Sequence, residues 1–296
     1  MLSGIEFYKA GRKQILQIMR GITTSVVLVF ALISCEKEVV LELSDREGAY
    51  LIVEANIDDA TAEQWIRLSL SSSYYDVTEG AVVTGAEVTV SSGEGDWLFT
   101  GRGPDSLAGL YFNSSIGDEL VDGRYTLFIE HEGSIYTAVS EYRAVPGIDS
   151  VTTRLNFFSS AGLTDERLYD ILVHFADLPG KGDHYLIDMT INGKLQTPRP
   201  SQKTVISDRD LGSYVTWSVR TINGNDMHAG DTIRLDMRSI SREKYEFYQI
   251  FFFQTDLSGN PFAGAPPANI PTNMSEGARG FFQVSAVSKA QTRFNQ

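Results

Sequence analysis

The sequence has a single cysteine, Cys35, among its 296 residues. One thiol excludes an intramolecular disulfide and any zinc site built on several cysteines. The sequence also lacks the GxSxG, HExxH, Walker, dinucleotide-binding and EF-hand spacings. We therefore predict a protein that is not an enzyme and that needs neither a cofactor nor a metal ion.

Positive charge is scarce. The chain carries 25 Lys and Arg against 38 Asp and Glu, a net charge of −13. Such a field repels nucleic-acid phosphates, so we exclude nucleic acid as a partner. Hydrophobic residues make up 42% of the chain, enough for a buried core, and the length suits one large domain or two of ordinary size.

Long apolar runs are also lacking, and the one near the N-terminus is short. Residues 21–34 carry no charge and follow Arg20, but spanning a bilayer as a helix takes about 20 apolar residues. A basic segment followed by a short apolar run is typical of a secretory signal peptide. We predict this signal peptide over residues 1–34, with either Met1 or Met19 as the true start.

The segment Leu32-Ile33-Ser34-Cys35 resembles the bacterial lipobox. The resemblance implies cleavage between Ser34 and Cys35 and attachment of lipid to the Cys35 sulfur. Acyl chains contribute about 0.8 kcal/mol per buried CH₂, so a multiply acylated cysteine is a durable anchor. We predict a protein held to a membrane by lipid, with residues 35–48 as the lipidated cysteine and tether.

After residue 48 the pattern is typical of an all-β protein: short β-branched and aromatic runs, separated by Gly, Asn, Asp and Ser. We predict a mainly β fold of two β-sandwich-like domains in tandem, over residues 49–147 and 148–296. The pairs Glu132-Gly133 and Asn192-Gly193 are typical of hairpin turns. The predicted strands are 50–56, 65–70, 86–91, 97–100, 110–113, 124–130, 134–140, 151–157, 169–176, 185–191, 204–207, 215–221 and 232–239.

One segment departs from the strand pattern. Residues 242–257 contain no turn residue, and Ser241 stands where a helix N-cap belongs. Tyr245, Tyr248 and Phe252 share one helical face. We predict a helix over 242–257 packed on the second sheet; an aromatic lining for a ligand pocket is the alternative.

The histidines offer only a weak metal hypothesis. His174 and His184 lie in or beside neighbouring predicted strands, and Asp183 adds a carboxylate. The three could meet at a metal ion, but no ligand spacing supports it. Ordinary strand residues are the favoured interpretation.

Several segments together resemble a known family. They are YLIVEAN (50–56), GAEVTV (85–90), VPGIDSV (145–151), the stretch 260–273, and Gly277 with 280–282. They are similar to the uncharacterised Bacteroidota lipoproteins grouped as domain-of-unknown-function family 4249. The resemblance implies a protein lipid-anchored at the outer membrane, on its periplasmic or cell-surface face, and often encoded beside TonB-dependent receptors. It implies no known reaction or catalytic residues. Residues 50–146 also resemble immunoglobulin- or transthyretin-like modules, which serve as spacers or binding surfaces.

The C-terminal stretch is the best candidate for a ligand or partner surface. Its four prolines, at 261, 266, 267 and 271, disfavour regular structure. The residues predicted to form the surface are Asn260, Phe262, Asn269, Asn273, Phe281 and Phe282. The alternative is that the stretch wraps the second domain, with its asparagines bonded to backbone.

The predicted function is that of a binding or interaction lipoprotein, accessory to a TonB-dependent transport system. The sequence does not indicate which small molecule or glycan it would bind. A surface hydrolase acting on glycans or peptides is the alternative, and it requires a cleft with ionisable groups of shifted pKa. A purely structural spacer is the third possibility.

Overall fold

The structure, a computed structural model, describes residues 49–72, 80–103, 107–164, 167–219, 227–255 and 270–295. Within these residues the chain is mainly β, with two sandwich-like β units and one long helix on the second, as the sequence predicts. The predicted signal peptide, the Ser34–Cys35 cleavage site and the tether lie outside the described residues and stay predictions.

The first β unit is an eight-stranded sheet in the order β15-β1-β2-β5-β4-β3-β6-β7. Its first seven strands are β1 (Leu51–Asp58), β2 (Gln64–Leu70), β3 (Glu87–Ser91), β4 (Asp96–Gly101), β5 (Leu110–Asn113), β6 (Gly123–His131) and β7 (Ser134–Tyr142). A short 3-10 turn, Ile116–Glu119, follows β5. The eighth strand, β15 (Ala278–Ser285), comes from near the C-terminus.

Alternation along the strands places apolar side chains on one face of this sheet. In β2, Ile66 and Leu68 are buried, while Trp65 and Arg67 point to solvent. The inward residues of all the strands form a single apolar core. Between β6 and β7 the two-residue turn has positive φ at Glu132 and Gly133, which is the type I′ geometry that suits a hairpin.

The last strand closes the first unit. β15 pairs in parallel with β1, with Leu51 opposite Ala278. At Gly280, φ is +110°, and a Cβ there would collide with the Val53 carbonyl oxygen, so glycine is what allows the two strands to approach. Since β15 also contacts β7, the two ends of the sheet meet.

The second β unit packs two smaller sheets face to face. One has the order β13-β9-β8; the other is β11-β10-β14-β16, with β12 also paired to β10. The strands are β8 (Ile148–Leu155), β9 (Tyr169–Ala176), β10 (His184–Ile191), β11 (Lys194–Leu195), β12 (Thr204–Ser207), β13 (Tyr214–Val219), β14 (Thr232–Ile240) and β16 (Val287–Arg293). Residues of β9, β10 and β14 with Phe294 form its separate core.

The described part of the second unit contains two helices, besides 3-10 turns at Pro200–Gln202 and Asp208–Asp210. The short α1 (Phe157–Ser160) is capped by Asn156 and ends the predicted strand 151–157 two residues early. The longer α2 (Arg242–Thr255) confirms the predicted helix, and the Ser241 hydroxyl accepts a hydrogen bond from the Lys244 amide at 3.1 Å. It contacts β10, β12 and the turn at 200–202.

The two units share one continuous stretch of chain. β15 belongs to the first sheet and β16 to the five-stranded sheet, with only Ala286 between them. The Ser239 hydroxyl accepts the Ala286 amide hydrogen bond, and Arg238 pairs with Asp58 across the same junction at 3.2 Å. The predicted domain boundary near residue 147 stays a prediction, but the C-terminal strands contribute to both units.

Candidate functional site

A cleft of about 670 Å³ opens where the two β units meet. It is formed by the end of β7, the start of β10, the β14–α2 junction and the segment that precedes β15. The lining residues are 137–141, 143–144, 182–185, 239–243 and 273–275. Because these segments are far apart in sequence, the cleft exists only in the folded chain.

Asn273 holds one wall of the cleft in place. Its side-chain amide donates to the carbonyl oxygens of Val139 at 2.9 Å and Phe282 at 2.7 Å, while its Oδ1 accepts the Phe282 amide at 3.0 Å. The next residue, Met274, is buried and forms a β-bridge with Ala138. This asparagine clasp joins β7 to β15, where no regular ladder connects them.

The opposite wall is the β14–α2 junction. The Ser239 hydroxyl donates to the Arg143 carbonyl oxygen at 2.7 Å, and the Ser241 amide donates to Gln283 Oε1 at 3.1 Å. Both serines are short polar side chains that satisfy backbone groups at the end of a strand or the start of a helix. The cleft walls are therefore fixed by hydrogen bonds on both sides.

An exposed ion pair lies at the rim. Arg143 Nη2 lies 2.6 Å from Glu141 Oε2, and its Nε donates to the same oxygen at 3.1 Å. The hydrogen bond from Arg143 holds the pKa of the Glu141 carboxyl below its usual range. The pair therefore stays charged across the ordinary pH range and is internally satisfied.

Asp183 and His184 occupy the inner part of the cleft. Burial, with the Asp208 carboxylate nearby, raises the pKa of Asp183. Burial likewise lowers the pKa of His184, whose ring lies 4.9 Å from that of Tyr245. Among the described residues the Asp183 carboxyl makes no hydrogen bond or ion pair, so it is available to a ligand.

The proposed metal-binding trio does not come together. His174 lies in the three-stranded sheet, with its ring nitrogens 2.8 Å from the Thr152 hydroxyl and 2.9 Å from the Thr216 hydroxyl. His184 begins β10 in the other sheet. Within the described ranges, no group of three His, Cys, Asp or Glu side chains is arranged to hold a metal ion.

A second cavity, of about 540 Å³, lies beside the middle of α2. It is bounded by α2, by β13 and by the segment leading into β12. Its lining residues are Ser201, Lys203, Thr204, Val205, Trp217, Ser218, Tyr248, Gln249 and Phe252. It shares no lining residue with the cleft.

Lys244 is the most buried residue of α2, with 6% of its surface exposed. Its ammonium lies 4.6 Å from the ring centroid of Phe281, 5.2 Å from Phe247 and 5.5 Å from Tyr248. Desolvation lowers its pKa to about 8. Among the described residues the ammonium has no ion pair, and cation–π attraction to the three rings takes its place.

The C-terminal candidates lie in different surroundings. Phe282 is fully buried in the first core, while Phe281 is 3% exposed and packs 5.2 Å from Phe247. Asn273 lines the cleft through its clasp. Asn260, Phe262 and Asn269 lie outside the described residues. A ligand or partner role for these six residues stays a prediction.

The sequence pattern does not predict the cleft. Asp183 and His184 were considered only as metal ligands, and Ser239 and Arg143 carry no local motif. The one local signal was Ser241, because N-cap residues have a recognisable position before a helix. Among the described residues, no helix is both long and apolar enough to cross a membrane.

Comparison with known proteins adds little about activity. No curated protein matches the chain. A solved structure titled "Biofilm associated protein - BSP domain" is similar at 11% identity and a TM-score of 0.23, over 84% of this chain. The match spans only 29% of that protein, and its TM-score supports no conclusion about fold or function.

The family comparison is more informative. The family model described as a domain of unknown function, DUF4249, matches residues 36–291. The match begins just after Cys35 and ends within β16, so it includes both β units, α2 and the cleft. Its description assigns no activity. By this match the chain belongs to the DUF4249 family.

Proposed function

We propose that the protein is a Bacteroidota-type lipoprotein of the outer membrane, anchored through Cys35, that binds a ligand or partner in its cleft. In this proposal it is accessory to a TonB-dependent transport system. The observation that carries the binding function is the cleft itself, in which the half-buried Asp183 carboxyl makes no hydrogen bond or ion pair among the described residues. A preformed concave site with a few unsatisfied polar groups is the usual form of a binding pocket.

The chemistry of the cleft favours polar recognition. Asp183 with a raised pKa can donate or accept a hydrogen bond, according to its protonation state. His184, with its pKa lowered by burial, offers a neutral imidazole near pH 7. At the rim, Glu141 and Arg143 already bond to each other. A ligand therefore gains more binding free energy from hydrogen bonds to Asp183 and His184.

The anchor supports the same proposal from the sequence. The lipobox and the short apolar run before it would place the protein on a membrane surface, with the cleft in the β units that follow the anchor. A binding site held at the membrane is what an accessory to a transport system needs.

A surface hydrolase is the second candidate. One observation favours it: the cleft holds two carboxyls whose pKa values are shifted in opposite directions, Asp183 upward and Glu141 downward. The Glu141 shift, however, comes from its exposed pair with Arg143, and structural ion pairs shift pKa values without catalysis. Binding is therefore preferred.

The binding proposal is tested by affinity purification from solubilised outer membranes of the native host. The full chain carries a C-terminal tag and is compared with Asp183→Asn, His184→Ala and the control Asp96→Asn, which alters an exposed residue of β4. We expect a TonB-dependent receptor to co-purify with the wild type and the control, and its recovery to fall about tenfold, or about 1.4 kcal/mol, with the cleft variants.

Three further results decide between the candidates. Absence of any receptor with the wild type, or equal recovery with all variants, would contradict the transport proposal. Turnover of glycan or peptide substrates that Asp183→Asn abolishes would establish the hydrolase instead. Cys35→Ala is expected to move the protein from the membrane to the soluble fraction; retention on the membrane would refute the lipid anchor.

A further inference from the structure

The cavity beside α2 has the chemistry of a second, separate binding site. We propose that it binds a neutral saccharide unit, with aromatic rings against the sugar's C–H face and side-chain polar groups on its hydroxyls. The inference does not rest on the proposed function, because the cavity and the cleft share no lining residue.

Three aromatic side chains from two elements face this cavity. Tyr248 and Phe252 are one helical turn apart on α2, and Trp217 comes from β13. Residues at i and i+4 lie on the same face of a helix, so both α2 rings reach the same space. The negative face of an aromatic ring attracts polarised C–H groups, which a pyranose ring presents on one side.

Polar groups without partners complete the lining. Among the described residues, the Gln249 amide, the Ser218 hydroxyl and the Trp217 indole N–H make no hydrogen bond. Together they offer donors and acceptors within one cavity. A purely apolar ligand would displace water from these groups and leave them unbonded, which is unfavourable. The ligand must therefore carry several hydrogen-bonding groups.

The cavity selects against charge. Its cation, Lys203, is bound to Asp188 Oδ1, and Asp188 Oδ2 also accepts from Arg238 Nη1 at 2.9 Å. Arg238 in turn pairs with Asp58 at 3.2 Å and lies 3.9 Å from Asp236. Asp236 also pairs with Arg234. Lys203 therefore belongs to a network of three cations and three carboxylates, and its charge is not left over for a ligand phosphate or carboxylate. A neutral molecule with many hydroxyls and one apolar face suits the aromatic rings, the polar groups and the already paired charges of the cavity.

The volume is consistent with a small-molecule site. At about 540 Å³ the cavity falls within the range of about 300–1,000 Å³ that is usual for such pockets. Trp217 and Tyr248 are half-buried, so their rings are supported by the protein and still present a surface.

The test uses the full-length protein in detergent, titrated with neutral hexasaccharides of glucose, mannose and xylose by isothermal titration calorimetry. The heat signal does not depend on any tryptophan, so binding is measured in the same way in every variant. We expect at least one neutral saccharide to bind. Trp217→Ala and Gln249→Ala are each expected to weaken binding about tenfold or more, while Trp65→Ala, on the exposed face of β2, leaves it unchanged.

Other outcomes would overturn the inference. These are no binding by any neutral saccharide, binding that survives Trp217→Ala and Gln249→Ala, or a preference for phosphate or for charged oligosaccharides. Gln249→Ala, at a half-exposed helix position, guards against misfolding of the Trp217 variant. Asp183→Asn should retain saccharide binding, so failure of the cleft proposal and failure of this one are distinguishable.

Discussion

The two β units are built from similar strands but differ in what they bury. The first unit encloses an almost purely apolar core, with Gln64 and Ser140 as its buried polar residues within β1–β7. The second unit and its helix bury ionisable groups as well, among them His184, Asp208 and Lys244. Buried ionisable groups cost free energy unless they are paired. The first unit is therefore mainly an apolar scaffold, whereas the second unit and its helix are where ionisable side chains are buried.

The largest expected effect tests the scaffold. Phe282→Ala removes a fully buried ring from the first core and should lower the free energy of unfolding by about 3–5 kcal/mol in urea denaturation. Phe253→Ala, on α2 and 45% exposed, is the matched control and should change it by less than about 0.5 kcal/mol. Similar losses in both variants would remove the distinction between the units.

The next effect has the opposite sign. Lys244→Met should stabilise the protein at pH 7, because the folded state no longer buries an ammonium. Its pKa falls from 10.5 to about 8 on folding, which corresponds to about 3 kcal/mol. Loss of the cation–π contacts offsets part of this, about 1 kcal/mol or somewhat more.

The pH dependence checks the cause of that stabilisation. Below pH 8 both states of the wild type are protonated at Lys244, and the folded state bears the full cost of burial. Between pH 8 and 10.5 the unfolded state binds more protons, so wild-type stability rises with pH and the advantage of Lys244→Met disappears. Urea denaturation at several pH values measures this, with exposed Lys194→Met as control. A pH-independent difference would refute it.

A smaller effect is expected where β7 meets β15 at the cleft wall. Asn273→Ala removes three hydrogen bonds to the backbone of Val139 and Phe282 and should cost about 1–3 kcal/mol. Hydrogen exchange at the Phe282 amide should accelerate. Gln291→Ala, exposed on β16, is the control. Unchanged exchange would show that the asparagine clasp does not hold the cleft wall.

The smallest effect belongs to the surface of the first unit. Arg102 pairs with Glu63, and both side chains are 50% exposed. Arg102→Met should change the free energy of unfolding by less than about 1 kcal/mol, because exposed ion pairs are largely screened. Thermal denaturation at low and high salt measures it. A larger loss would mean that the surface of the first unit also contributes to its stability.

Much of the fold was predictable because it is encoded locally. Alternation in β2, the Glu132-Gly133 turn and the Ser241 cap each depend on a few adjacent residues, and the structure confirms them. β15 was not predicted from the sequence. Its residues 281–285 are all buried, so the strand lacks the alternation of apolar and polar residues by which a half-exposed strand is recognised. β16 was missed with it.

The cleft and the cavity beside α2 were not predictable in the same way. The cleft joins Arg143, Asp183, Ser241 and Asn273 from four distant segments, and no spacing in one dimension relates them. Lys244 is a clearer case. Its burial depends on Phe281 in β15, a strand that the sequence pattern did not predict.

The parallel pairing of β1 with β15 makes the order of synthesis important. Until Ala278–Ser285 has been made, β1 has a bare edge of backbone donors and acceptors next to a finished hairpin partner. Bare edges template pairing with other chains, and joining the two ends of a long chain is a slow, non-local step. A chain cut short before residue 278 should therefore aggregate through β1, even though every other strand of the first sheet is present.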